Sequence, residues 1–261
     1  MELTYLGQAG FLIEDHESRY LIDPYLSNYV VTGGIGDPKY FSRVFPPPVK
    51  AEDLRDISAV FVTHDHADHC DPDTILPILA NNPGCKIIGP QPALTLLAQR
   101  GVGTSQLLLA PIADWMEFGS IRFTALPSAH YELERDEYSG NYPYLGFVIE
   151  MDGKILYHSG DTIFYEGMLD RLKMISDHYD VCCLPVNGRD TQREALGIIG
   201  NLQPEEALWL TDQLKAEMLI PTHNDPSEIN HLDPSRLEEH KKIHYPGQGV
   251  KWMEPGGFFS L

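Results

Sequence analysis

The chain has 261 residues, 43% of them hydrophobic, with 19 Lys+Arg against 38 Asp+Glu and a formal net charge of −19. A surface that acidic repels phosphate backbones and argues against a general nucleic-acid binder, and no apolar run approaches the length that crosses a bilayer. The opening "MELTYLGQAG" reads at once as a strand, without a basic n-region, apolar h-region or cleavage site, and Cys70, Cys85, Cys182 and Cys183 show no paired spacing; a reduced, cytoplasmic protein is the expectation.

The length fits a single domain over 1–261. Residues 2–26 give three short β-like runs separated by "GQAG" and "EDHES", a meander of hairpins. Residues 24–50 are rich in Gly and Pro, long for a loop, and are expected to be a lid or to pack on a neighbouring subunit in a homo-oligomer. Strand-like runs follow at 59–63, 86–88, 121–126, 144–150, 154–158, 180–184 and 217–220, with helical patterns at 91–99, 165–175 and 204–214. A meander followed by alternating strands and helices predicts sheets covered by helices, an α/β sandwich.

The run "FVTHDHADHCDP" at 61–72 is where this pattern becomes chemical. "AVFV" is a buried strand, and Thr63 carries the chain out of it. An extended continuation puts His64 and His66 on one side, roughly 6–7 Å apart at the backbone, within reach of one ion. Asp68 and His69 are adjacent, so a turn aims both at a second point nearby. Thr74 is expected to cap the following helix, with Pro77 in its first turn, and Asp71 and Asp73 read as solvated or capping residues where the helix begins. Four ligating side chains between 64 and 69 at a strand end point to a metal site rather than a solvated loop. Further ligands are expected past other strand ends: His130 after "IRFTALPSA", Asp161 in "YHSGDT", and His223 in "IPTHND".

The set His64-x-His66-x-Asp68-His69, His130, Asp161 and His223, with the early "YLGQAGFLIE…YLIDP", resembles the metallo-β-lactamase superfamily over nearly the whole chain. Within it, "THDHADH", "YHSGDT" and "IPTHND" are similar to the group containing the L-ascorbate-6-phosphate lactonase, although an acidic residue stands in that group where this chain has His130. The resemblance implies a four-layer αβ/βα sandwich with its site at one edge. It implies two divalent ions, with Mn or Zn expected. His64, His66 and His130 would hold one, Asp68, His69 and His223 the other, and Asp161 would bridge. It also implies that Asp23, in "YLIDP", accepts a ligand imidazole's N–H; the alternative is a turn-starting Asp before Pro24.

The expected activity is metal-dependent hydrolysis of a small, anionic lactone or ester, through a hydroxide made available near neutral pH by the two ions, with Asp161 bridging and Asp68 moving the proton. The alternatives are a phosphodiesterase or nuclease of the same fold and a non-hydrolytic metal-binding member; the acidity disfavours the nuclease, and seven intact ligand positions disfavour the other. Asn187, Arg189 and Asn201 read as a substrate loop, with Arg189 as a fork for phosphate or carboxylate, or equally as an ordinary connection. Tyr131, Tyr138 and Tyr142 form a candidate rim. His158 reads as a packed or exposed strand residue, His231 as the rival to His223, and Cys70 as structural. His16, His178, His240 and His244 read as surface residues.

Overall fold

In the computed structural model, which describes residues 1–261, alternation along each strand divides the apolar residues between two faces. The first sheet contains β1 (Glu2–Gly7), β2 (Gly10–Glu14), β3 (Arg19–Ile22), β4 (Ile57–Phe61), β5 (Lys86–Gly89) and β6 (Leu107–Leu109). The second contains β7 (Met116–Phe118), β8 (Ile121–Pro127), β9 (Leu145–Met151), β10 (Lys154–His158), β11 (Val181–Pro185), β12 (Met218–Thr222) and β13 (Gly249–Val250). The last strand, β14 (Phe258–Ser260), returns to pair antiparallel with β1, so the strand orders are 14-1-2-3-4-5-6 and 13-12-11-10-9-8-7.

Residues of odd and even parity in one strand enter different cores. In β4, Ala59 and Phe61 face the other sheet while Val60 faces helices; in β11, Val181 and Cys183 face inward while Cys182 and Leu184 face out. Adjacent Cys182 and Cys183 therefore point to opposite sides of the sheet, and all four cysteines are free and buried. Phe61 anchors the layer between the sheets, its ring centroid 4.9 Å from Phe123 and 5.1 Å from Phe147. Burying such a ring contributes about 1.5–3 kcal/mol.

The helices are α1 (Tyr29–Thr32), α2 (Pro38–Phe41), α3 (Pro72–Asn81), α4 (Gln91–Gln99), α5 (Met168–Ile175), α6 (Thr191–Glu194), α7 (Pro204–Gln213) and α8 (Pro234–His244). α3 and α4 cover the first sheet through Ile75, Ile78, Leu94 and Leu97, and α5, α7 and α8 cover the second through Leu172, Leu208 and Leu237. The result is the four-layer αβ/βα sandwich. No helix is long and apolar enough to cross a membrane.

Three local expectations change. Asp71, not Thr74, caps α3: its carboxylate accepts from Asp73 N at 3.0 Å and Thr74 N at 3.3 Å. A carboxylate satisfies two orphaned amides and meets the positive end of the helix, so the helix starts earlier than a threonine cap would set it. Pro77 consequently lies inside α3, where it removes one helical bond. Residues 24–50 are not an open loop: they carry α1 and α2, and Tyr25, Tyr29 and Val30 pack with Ala67 beside the histidine-rich segment. α8 escapes a periodicity reading because only Leu237 of its eleven residues is buried.

Candidate metal centre

Each ligand candidate follows a strand's carboxyl end, and the two sheets deliver these ends to one edge of the sandwich. β4 leads to His64, His66, Asp68 and His69, β8 to His130, β10 to Asp161 and β12 to His223. Thr63 joins the sheets there, its carbonyl accepting from Leu145 N at 2.9 Å. The turn carrying Asp161 must come very close. Gly160 has φ +59°, and a Cβ on it would lie 2.7 Å from Thr63 Cβ and 2.9 Å from the Leu145 carbonyl. Only glycine fits.

Potential ligand atoms of His64, His66, His130 and Asp161 lie within 4.8 Å of one another, as do those of Asp68, His69 and His223. The six other ligand candidates fall as the resemblance implies, and Asp161 groups with His64, His66 and His130. Asp161 stands between them, with Oδ1 3.2 Å from His69 Nε2 and Oδ2 3.1 Å from His223 Nε2 and 3.8 Å from His130 Nε2. His231 is exposed and plays no part.

Hydrogen bonds behind the site determine which nitrogens face it. Asp23, fully buried, accepts from Thr63 N at 2.8 Å, from Thr63 Oγ1 at 2.6 Å and from His69 Nδ1 at 2.7 Å. Having donated its proton to Asp23, the Thr63 hydroxyl accepts from His64 Nδ1 at 2.9 Å. Both imidazoles thus commit Nδ1–H outward and turn Nε2 to the centre, and around it His64 Nε2, His69 Nε2, the His130 ring nitrogens and Asp161 Oδ1 are buried without a hydrogen-bond partner, while His223 directs Nε2 toward Asp161 and Asp68. Buried polar atoms are rarely orphaned, and a set of imidazoles and carboxylates left so fits divalent-metal ligation.

Ionisation follows the same division. Burial pushes His130 down to about 4, against the pull of Asp161, and burial with the neighbouring imidazoles also lowers His64. Burial opposes charge on His223 too, yet Asp161 and Asp68 hold it up at about 9. Asp161, Asp23 and Asp68 likewise outweigh burial and raise His69. His64 and His130 are therefore neutral and ready to ligate, whereas His69 and His223 carry protons that a metal would displace.

Four participants gave no signal in the sequence. Gln8 occupies the "GQAG" turn at φ +60°, its Nε2 2.5 Å from Asp68 Oδ2 and 2.9 Å from His223 Nε2. Its carbonyl accepts from His223 N at 2.7 Å. Left-handed backbone recurs at Asp23, Tyr131 and His223, the clustering of strained positions typical of a working site. His158 is buried and braces two turns: Nδ1 accepts from Gly160 N at 3.1 Å and Nε2 donates to the Ala9 carbonyl at 2.7 Å. Tyr144 packs edge-on against His130 at 4.8 Å between centroids. Tyr25 lines the cleft with its hydroxyl unpartnered, and burial together with Asp68 keeps that hydroxyl protonated.

Two expectations fail on geometry. Arg189 does not offer a free fork: its guanidinium makes a bidentate pair with Glu206 at 2.7 Å for both contacts and donates to the Asn201 carbonyl at 2.9 Å. Asn187 and Asn201 bond to each other at 3.1 Å, and Asn187 reaches Asn230 at 3.3 Å. These contacts organise the 187–201 loop. None of Tyr131, Tyr138 and Tyr142 lines the cleft either: Tyr138 is 99% exposed and Tyr131 donates to Glu194 at 2.9 Å. A cleft of about 520 Å³ opens on the centre, and its charged lining groups are Asp37, Asp65, Asp68 and Asp161 with the imidazoles of His66, His130 and His223.

The model of the beta-lactamase superfamily domain matches residues 18–224. The chain belongs to this superfamily. It is 27% identical over 267 residues to a UPF0173 metal-dependent hydrolase of Carboxydothermus hydrogenoformans, covering 100% of both chains. Among solved structures it is similar to Igni18, a metallo hydrolase of Ignicoccus hospitalis (TM-score 0.71, 22% identity, 100% and 98% of the two chains covered). It is also similar to an isothiocyanate hydrolase from Delia radicum gut bacteria (TM-score 0.73, 20% identity, 100% and 99% covered). At those identities the two structures bear on the fold alone. For this member of the superfamily, the match spans every ligand candidate from His64 to His223.

Proposed function

We propose that this metal-dependent hydrolase cleaves a carboxylic ester or lactone in a small molecule, using two divalent ions of the Mn(II) or Zn(II) kind. The observation that carries the reading is the pair of ligand groups flanking Asp161, with His64 Nε2, His69 Nε2 and the His130 nitrogens buried and unpartnered. His64, His66 and His130 would hold one ion, Asp68, His69 and His223 the other, with Asp161 between. When bound, such a pair supplies Lewis acidity and lowers the pKa of water toward about 7.

The chain's own groups account for the rest. Asp23 and Thr63 hold the His64 and His69 rings in one tautomer. In the overall reaction a water oxygen bonds to the carbonyl carbon, the C–O bond to the alcohol breaks, and a proton ends on the leaving oxygen. Asp68 is placed to move that proton, with Oδ2 3.4 Å from His223 Nε2 and its side chain 23% exposed to the cleft. Its carboxylate is held well below the usual range despite burial, by His69 and His223, so it is ionised at neutral pH. An ester is favoured over a phosphodiester because the charged groups around the cleft are carboxylates and imidazoles.

Dialysis against chelator is expected to abolish turnover of a panel of lactones and esters, and added Mn(II) or Zn(II) to restore it. Turnover that survives complete metal removal would refute the proposal.

A further inference from the structure

Two segments distant in sequence present aliphatic side chains to water in the lining of the cleft. Ile35, between α1 and α2, is 62% exposed, and Leu196, after α6, is 44% exposed. Each has apolar support. Gly36 fixes the first wall, because a Cβ there would meet Phe41 Cδ2 at 2.6 Å and Val30 Cγ1 at 2.8 Å. Ile198 and Ile199 continue the second wall. Leaving such residues open beside a deep polar centre is unfavourable unless something covers them.

Neither Arg189 nor Arg43 lines the cleft. Arg189 is paired with Glu206, and Arg43 donates to the Tyr25 carbonyl at 2.9 Å while lying over the Tyr25 and Phe45 rings. No lysine or arginine lines the cleft, whereas Asp37 and Asp65 do, on a chain of net charge −19. Besides the unpartnered acceptor Gln8 Oε1, the wall holds the Tyr25 hydroxyl, on a residue 2% exposed and with no partner at hydrogen-bond geometry. That hydroxyl is a donor suited to a carbonyl oxygen.

We infer that the cleft selects an uncharged ester or lactone bearing an aliphatic chain, the chain lying between Ile35 and Leu196 and the carbonyl turned toward Tyr25 and the metal ligands. The inference rests on the hydrolase reading above and departs from the anionic substrate expected from sequence. The volume of about 520 Å³ lies within the range of small-molecule sites.

The test uses the metal-loaded protein and a series of γ-lactones of increasing side-chain length, with a phosphorylated sugar lactone as the anionic comparator. The ratio kcat/KM is expected to rise by about fourfold for each methylene buried, then level off. Leu196→Asp and Ile35→Asp, both at exposed positions that tolerate the change, are expected to flatten the series. In parallel, binding of the matching alkyl lactams, which resist hydrolysis, is measured calorimetrically. Hydrolysis with a flat series, or with preference for the phosphorylated lactone, overturns the inference and leaves the hydrolase reading standing. No hydrolysis, but lactam affinity that climbs with chain length and is lost in Leu196→Asp, supports the apolar selection and sinks the ester reading.

Discussion

Asp23→Asn isolates the support behind the metal centre. Asparagine has nearly the same shape and tolerates the left-handed backbone at this position (φ 43°), so the fold should accept it. One acceptor survives for Thr63 N, 2.8 Å away. The new amide NH₂ then takes the place of Oδ2, which accepts from Thr63 Oγ1 at 2.6 Å and His69 Nδ1 at 2.7 Å. Two donors now face a donor in a fully buried site. Each such mismatch costs about 1–3 kcal/mol unless the network reorganises. The available reorganisation moves the His69 proton to Nε2, which relieves the clash and removes the lone pair that faces the centre. Either way metal affinity falls, by about 10–100-fold, equivalent to about 1.4–2.7 kcal/mol. Competition against a chromophoric chelator measures the affinity, and thermal melts with and without metal separate it from stability. Affinity within about twofold of the wild type would show that the Asp23 hydrogen bond does not orient His69 for ligation.

Protons and metal compete at the second group. His223 is held up at about 9 and His69 is also raised, so both contribute to apo-protein stability below the unfolded value of about 6.5 and lose that contribution as pH climbs through the folded values. Metal loading near pH 7.5 should therefore release protons, read as a dependence of calorimetric heat on buffer ionisation enthalpy, and apparent affinity should increase toward pH 9; buffer-independent heats would contradict it. Gly160→Ala should destabilise the protein by at least about 1–3 kcal/mol and weaken metal binding with it, because the contact with Thr63 displaces Asp161; unchanged denaturant midpoint and affinity would show the turn yields freely. Arg189→Ala should lower the unfolding midpoint modestly by loosening the 187–201 loop, without altering KM. A tenfold rise in KM for a phosphorylated substrate would mean that the guanidinium reaches the ligand after all.

Strand ends are legible in the sequence because alternation and ligating residues coincide there. "AVFV" followed by His64 to His69, and "KILYH" followed by Asp161, combine a period of two with side chains that have no place in a core. The helix over 91–99 is legible for the same reason, an uninterrupted apolar stripe. Short edge strands such as β13 and the polar helix α8 carry no such stripe and depend on their neighbours. Gln8, His158 and Tyr144 are equally silent, since a turn glutamine, a strand histidine and a loop tyrosine look ordinary until distant strands converge on them.

The identities of the seven metal-ligand candidates, and the sandwich that gathers them, were fixed by local chemistry: ligating types past strand ends, on a chain with enough alternating apolar residues to build two sheets. Only the folded protein decided which cations are free. Arg189 looked available as a sequence position, but Glu206, seventeen residues on, takes both arms of its fork. Ile35 and Leu196 looked like loop residues until the fold set them in the lining of one cleft. Ligand identity is a property of single side chains, whereas substrate preference depends on what is left unpaired after every side chain has found its neighbours.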